Sequence, residues 1–235
     1  MTPSDDQGGF LGGWVIHQLL ERGEDPSSIR VIDYAPKAVN NVVSDAIARG
    51  LQYLKTDITD PDAVKAAFAQ PWSQLHDTSS APADGITVFH CAAQIRFFER
   101  HPIFIHRSAS VNIDGVRNCL EAARSAGVDV YIFTSSGSIT IKPARYLLWP
   151  WESDCEEWVQ VINDDTELPK TQSEHVSNYG ATKAAGERLV READKTAVAG
   201  GRLMRTGAIR PTNGVFGARG DILTEACIVR KISPI

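Results

Sequence analysis

Tyr179 and Lys183 stand four residues apart in the run Asn178-Tyr179-Gly180-Ala181-Thr182-Lys183-Ala184-Ala185-Gly186-Glu187. The run has no proline and is rich in helix formers, so the two side chains share one helical face. A phenol beside an ammonium can act as an oxygen base near neutral pH, because the cation favours the phenolate and draws a pKa of about 10 downward. A mere surface contact is the plainer alternative, and the neighbouring motifs decide between them. One is Thr134-Ser135-Ser136-Gly137, directly after the apolar stretch Val130-Tyr131-Ile132-Phe133. Three hydroxyls before a glycine can form a turn that satisfies its own backbone. Delivered by a strand to the edge where α/β proteins bind ligands, they can also meet a substrate oxygen. Beside Tyr179 and Lys183 the second reading prevails.

Positioning such groups takes a regular scaffold, and the sequence describes one. Apolar runs that read as buried parallel strands fall at residues 29–34, 51–54, 86–90, 128–134 and 203–209. Helical patterns lie between or before them at 14–22, 62–69, 109–126 and 178–193. This alternation predicts an α/β fold, a doubly wound parallel sheet. Residues 77–85 read as a small polar loop. Residues 140–177 interrupt the rhythm as an insertion, which includes the acidic, tryptophan-rich stretch Trp149-Pro150-Trp151-Glu152-Ser153-Asp154-Cys155-Glu156-Glu157-Trp158. It is either a lid over an apolar substrate or a surface insertion folding its own aromatics beneath it.

The 235 residues, 43% hydrophobic and 23% charged, suit a soluble globular chain with a substantial core. A net charge of -5 without a basic block argues against nucleic acid as a partner. No apolar run is long enough to span a bilayer, and the first residues do not read as a signal peptide. Cys91, Cys119, Cys155 and Cys227 lie far apart with no histidine at ligand spacing, so free thiols in a reducing compartment are expected and a metal site is not.

Near the N-terminus, Gln7-Gly8-Gly9-Phe10-Leu11-Gly12-Gly13-Trp14 leads into the first helix. Glycines at a strand-to-helix turn let backbone amides approach a pyrophosphate held at the helix N-terminus. Asp33 closes the next strand about 20 residues on, where an acid suits a ribose 2′-hydroxyl and repels a 2′-phosphate. That combination points to NAD rather than NADP. In Thr56-Asp57-Ile58-Thr59-Asp60, Asp57 either accepts from an adenine amino group or caps the helix that follows.

With these residues in place, the chain resembles the extended short-chain dehydrogenases/reductases, and among them the 3β-hydroxysteroid dehydrogenase and sterol-4α-carboxylate 3-dehydrogenase group of the NAD-dependent epimerase/dehydratase superfamily. The match is carried by Gly9-Phe10-Leu11-Gly12, Asp33, Asp57 with Ile58, and Val88-Phe89-His90-Cys91-Ala92-Ala93. It continues through Val111-Asn112-Ile113-Asp114-Gly115, Phe133-Thr134-Ser135-Ser136, Tyr179 with Lys183, and Arg210-Pro211 before Gly214-Val215-Phe216-Gly217. The resemblance implies catalysis by Ser136, Tyr179 and Lys183. It places Gly9, Phe10, Leu11, Gly12, Asp33, Asp57, Ile58, Ala92, Ala93, Lys183, Arg210 and Pro211 along the dinucleotide. For Ala92 and Ala93, plain close packing is the alternative. Asn112 would brace the helix behind the site.

The same resemblance implies oxidation of a secondary hydroxyl on an apolar, sterol-like small molecule. Tyr179 would be the base, Lys183 would lower its pKa and hold the nicotinamide ribose, and Ser136 would bond the substrate oxygen. It implies a homodimer, and a cytoplasmic protein that can associate peripherally with the endoplasmic reticulum. A nucleotide-sugar epimerase or dehydratase and an inactive NAD-binding regulator are the competing readings.

Two departures from the family pattern stand out. Residues 1–7 hold no apolar run, and Asp6 occupies the place of the first glycine, so the first strand is expected to be missing or degenerate. The dinucleotide domain is expected over residues 1–210, with residues 211–235 only the start of a substrate subdomain that is otherwise absent. A chain truncated at both ends is the expectation.

Overall fold

The computed structural model describes residues 10–38, 41–72, 85–144, 149–151 and 160–211. Residues 1–9, with Gly9 and the expected position of the first strand, lie outside the described residues, as do Cys155, Trp158, Cys227 and residues 212–235.

The elements are α1 (Phe10–Glu21), β1 (Arg30–Asp33), α2 (Asn41–Ala48), β2 (Gln52–Lys55), α3 (Pro61–Ala69) and β3 (Thr87–His90). They continue with α4 (Ile105–Ala109), a π-helical segment (Ser110–Gly115), α5 (Val116–Ala126), β4 (Val130–Thr134), α6 (Asn178–Glu192), β5 (Thr196–Ala197) and β6 (Leu203–Ile209). Among the described residues the strands form two sheets. One is the parallel pair β1-β2; the other has the order β3-β4-β6-β5, parallel except for β5 at its edge. In the larger sheet Val130 of β4 is opposite Thr87 on one side and Arg205 on the other, and Phe133 is opposite His90 and Ala208. The carboxyl ends of β3, β4 and β6 therefore open on one edge.

Local sequence explains where elements start and stop. Asp60 caps α3 by accepting from the amides of Asp62 and Ala63, with Pro61 in the first turn. Asp57 therefore does not cap this helix. Its carboxylate turns back on Thr59, accepting from the amide at 2.9 Å and the hydroxyl at 2.8 Å. Ser177 caps α6 through the amide of Gly180. Gly127 ends α5 at φ 75°, and its amide reaches the carbonyls of Ala123 and Arg124. At the far end of α3, the Arg30 guanidinium collects the carbonyls of Ala67, Phe68, Gln70 and Pro71 and lies over the Trp72 ring. Carbonyls left open by the end of a helix are thereby satisfied.

Two buried clusters hold the chain together. Val64 of α3, Val116, Leu120 and Ala123 of α5, Tyr131 and Phe133 of β4 and Val190 of α6 form the larger. Ile16 of α1, Ile29, Val43 and Ala46 of α2 and Leu51 form the smaller. The strands predicted from sequence all occur: β6 has the expected bounds, β2 is shifted by one residue, and β1, β3 and β4 are one or two residues shorter. Four features differ. The first helix begins at Phe10 rather than near Trp14, so Phe10, Leu11 and Gly12 belong to its first turn. The helix α2 and the two-residue strand β5 had no sequence signal. The helix expected over 109–126 begins at Ile105 and contains the π-helical segment. In the insertion, Trp149 and Trp151 stack on each other, 5.4 Å apart with rings 3° from parallel, and both are exposed. Among the described residues no helix is long and apolar enough to cross a membrane.

Candidate active site

Strand β4 delivers Thr134, Ser135 and Ser136 to the carboxyl edge of the sheet, and α6 brings Tyr179 and Lys183 against it. Ser136, in extended backbone, caps the short turn Gly137–Ile139; its oxygen accepts from the Ser138 amide and lies 2.9 Å from the Ser138 hydroxyl. The turn is anchored twice to the end of β6. Ser135 donates its amide to Ile209 at 2.8 Å, and Gly137 donates to Pro211 at 2.7 Å. Helix α6 can come this close because Gly180 lacks a side chain: a Cβ there would stand 2.9 Å from the Ser138 carbonyl oxygen.

Tyr179 is 5% exposed and packs edge-on against the Phe97 ring at 4.9 Å. Burial pushes its phenol above the ordinary range, and the neighbouring Ser136 hydroxyl opposes that shift. The expected depression by Lys183 is not found. The Lys183 ammonium instead donates to the Thr134 carbonyl at 2.6 Å and sits 4.3 Å from the centre of the Phe133 ring. Burial lowers the Lys183 pKa to about 7, against the favourable fields of Cys91 and Glu187. The amine is thus balanced near neutrality, with its charge directed to the sheet.

Behind the pair, Asn112 lies fully buried in the π-helical segment. Its side-chain oxygen accepts from the Gln94 amide, and its nitrogen donates to the Gln94 carbonyl and the Thr182 hydroxyl. This clip joins the loop after β3 to α6. A Cβ on Gly186 would lie 2.4 Å from the Asn112 carbonyl oxygen, so helix and segment touch backbone to backbone. The extra residue of a π turn re-aims side chains and is common at functional sites.

Of the residues expected along a dinucleotide, Asp33, Asp57 with Ile58, and Ala92 with Ala93 lie at or beyond the carboxyl ends of β1, β2 and β3. Phe10, Leu11 and Gly12 open α1, Lys183 is on α6, and Arg210 and Pro211 follow β6. Asp33 ends β1, with one carboxylate oxygen accepting from the Ala35 amide at 2.8 Å; burial raises its pKa. Asp57 follows β2. Ile58 wedges under Gly115, and its carbonyl accepts from Asn118, which secures that loop to the helical segment behind it. Ala92 and Ala93 lie half-buried in the loop after β3. Gly12 has open space where a Cβ would project. Arg210 is engaged elsewhere: its guanidinium grips the Glu187 carboxylate, with contacts of 2.7, 3.0 and 3.2 Å. Sequence reasoning passed over Glu187, although its place four residues beyond Lys183 was a readable sign. Free Cys91 is half-buried, its sulfur 3.7 Å from the Thr134 hydroxyl, and free Cys119 is buried.

Sequence and fold both resemble those of known proteins. The chain is 29% identical over 218 residues to human 3 beta-hydroxysteroid dehydrogenase type 7, covering 92% of this chain and 50% of that protein. It is 30% identical over 217 residues to the 3 beta-hydroxysteroid dehydrogenase/Delta 5-->4-isomerase of Mycobacterium tuberculosis, covering 91% and 46%. The chain thus spans about half the length of the curated relatives it matches. Among solved structures, it is similar in fold to a short-chain dehydrogenase/reductase superfamily protein of Agrobacterium tumefaciens with bound NAD. The TM-score is 0.55 at 23% identity, over 88% of this chain and 47% of that one. It is likewise similar to the Bordetella bronchiseptica enzyme WbmG in complex with NAD and UDP, with TM-score 0.56, 22% identity, and 86% and 50% coverage. These likenesses make the architecture a Rossmann-type α/β fold. The profile of the 3-beta hydroxysteroid dehydrogenase/isomerase family matches residues 7–232, nearly the whole sequence. Motifs, fold and profile agree, and the chain belongs to that family.

Proposed function

We propose that this chain carries the catalytic residues of an NAD-dependent oxidoreductase that interconverts a secondary alcohol and a ketone on a 3β-hydroxysteroid or sterol-like substrate. The observation that carries the reading is the meeting of α6 with the Ser136 turn: Lys183 donates to the Thr134 carbonyl at 2.6 Å, and Gly180, next to the buried Tyr179, lies against the Ser138 carbonyl. A hydroxyl and a phenol brought to one place in this way can both address one substrate oxygen.

In the oxidation direction Tyr179, as phenolate, takes the proton of the substrate hydroxyl. Ser136 donates a hydrogen bond to the same oxygen as it becomes a carbonyl. In reduction the phenol returns the proton. Lys183, whose ammonium donates to the Thr134 carbonyl, fastens the helix bearing Tyr179 to the strand that presents Ser136. Phe97, packed on Tyr179, gives the reacting end an apolar wall suited to a sterol ring.

NAD supplies the hydride acceptor for this chemistry. The residues present fit it: the half-buried carboxylate of Asp33 retains an oxygen for a ribose hydroxyl, Gly12 leaves open space at the start of α1, and Ala92 and Ala93 add no bulk beyond β3. Asp33 also favours NAD over NADP. Arg210 and Pro211 serve this site by fixing the Ser136 turn. A small apolar substrate, a homodimer, and a cytoplasmic setting with peripheral attachment to the endoplasmic reticulum complete the proposal.

The test is incubation with NAD and a panel of 3β-hydroxysterols, following the absorbance of the reduced cofactor, with a nucleotide sugar as a parallel arm. Reduction with a sterol supports the proposal. Turnover of the nucleotide sugar alone makes the protein an epimerase-like enzyme, and a thermal shift with NAD but no turnover makes it a cofactor-binding regulator.

A further inference from the structure

Helix α6 presents three ionisable side chains to the same side at successive turns: Tyr179, Lys183 and Glu187. All three are buried, and the Glu187 side chain is 3% exposed. An acid so far from water needs a reason and a partner. The partner is Arg210, just beyond the end of β6, in a two-pronged ion pair. Next to Arg210, Pro211 accepts the Gly137 amide, and Ile209 accepts the Ser135 amide. The ion pair therefore begins a chain of connections that runs from α6 to the end of β6 and across to the Ser136 turn.

We propose that Glu187 is a positioning residue for the reaction: its grip on Arg210 ties the helix bearing Tyr179 and Lys183 to the turn bearing Ser136, and its carboxylate is the buried counter-charge of the Lys183 ammonium. The proposal rests on the dehydrogenase reading above and extends it to a side chain that touches neither substrate nor cofactor.

The groups around Lys183 bear this out. Cys91 and His90 face it from the end of β3, and Tyr179 and Glu187 flank it on α6. His90 is neutral, its pKa brought down to about 3 by burial and by Lys183, and its Nδ1 is 2.6 Å from the Tyr131 hydroxyl. Burial raises the pKa of the Cys91 thiol, which keeps it uncharged near neutral pH. Glu187 is then the carboxylate among them. Burial acts to raise its own pKa, and the bonds from Arg210 with the fields of Arg210 and Arg191 override that and hold it ionised. One charged acid thus serves two tasks, a structural tie and an electrostatic one, and they can be separated.

The experiment compares wild type, Glu187→Gln, Glu187→Asp and the double variant Glu187→Gln/Arg210→Gln. The double variant removes both charges of the ion pair, so Arg210 is not left unpaired if the single variant fails to fold. Two readouts are taken: the titration of Lys183 by 13C NMR of lysine-labelled protein, assigned from Lys183→Met, and the pH profile of sterol oxidation. In both the single and the double variant, Lys183 is expected to lose its proton about one pH unit or more lower. The alkaline limb of kcat/KM moves to lower pH with it, as the ammonium bond to Thr134 is lost sooner, and kcat falls roughly 10- to 100-fold as the Ser136 turn loosens. Glu187→Asp restores part of both. A folded double variant with an unmoved Lys183 titration and wild-type kcat overturns the proposal. If the wild type turns over no sterol, the dehydrogenase reading fails, and the NMR titration still decides whether Glu187 is the counter-charge.

Discussion

Lys183 gives its hydrogen bond to the Thr134 carbonyl, two residues before Ser136, so the amine of the catalytic helix is fastened to the strand that presents the catalytic hydroxyl. The arrangement buries an amine whose pKa falls to about 7 from the ordinary 10.5. Between those values the unfolded chain holds the extra proton and the folded chain does not, so stability rises with pH across the window. Below about pH 7 the penalty is present in full, on the order of a few kcal/mol. Lys183→Met should therefore melt higher than wild type near neutral pH, and the advantage should shrink as the pH approaches 10. Melting curves at several pH values check this; a difference that stays constant with pH contradicts it.

Tyr179→Phe keeps the ring against Phe97 and removes the phenolic oxygen. Turnover should fall by about 10²–10⁴ while NAD binding stays within severalfold of wild type. Ser136→Ala should cost less, roughly 10- to 1,000-fold, since one hydrogen bond to the reacting oxygen is lost and proton transfer is retained. Steady-state kinetics beside a cofactor titration separate the two effects.

Gly186→Ala sets a methyl group against the Asn112 carbonyl, at a separation of 2.4 Å in the unaltered backbone. Neither partner is a flexible side-chain tip, so α6 must shift off the π-helical segment. The variant should be destabilised by about 1–3 kcal/mol and lose activity through misplaced Tyr179. Urea unfolding should show a lower midpoint with an unchanged slope.

Most of this was readable from the chain. Val130-Tyr131-Ile132-Phe133 announced a buried strand, and the Tyr179–Lys183 spacing announced a helix face, because burial and periodicity leave plain marks in sequence. The rest depended on contacts that span the chain. Asn41–Ala48 has only two fully buried side chains, Val43 and Ala46, too few to stand out as a pattern. The two residues of β5 exist by pairing with β6. That Lys183 would turn to Thr134, or Arg210 to Glu187, is a matter of tertiary geometry: a guanidinium at the end of a strand looks the same in sequence whether it meets a ligand or a carboxylate 23 residues earlier. Asp57 illustrates the converse. Two roles were open to it, and the helix cap went to Asp60 because its carboxylate stands within reach of the Asp62 and Ala63 amides.

Asp33→Ala should raise use of NADP relative to NAD by about tenfold or more, equivalent to ~1.4 kcal/mol, because the carboxylate that repels a 2′-phosphate is gone. The same change removes the acceptor of the Ala35 amide, so a modest drop in melting temperature should accompany it. The ratio of kcat/KM for the two cofactors is the measurement. An unaltered ratio would remove Asp33 from the cofactor site.

Because the phenol, the amine and the carboxylate are mounted on one rigid rod, they have no independent motions to offer. Any tilt of α6 therefore displaces all three together.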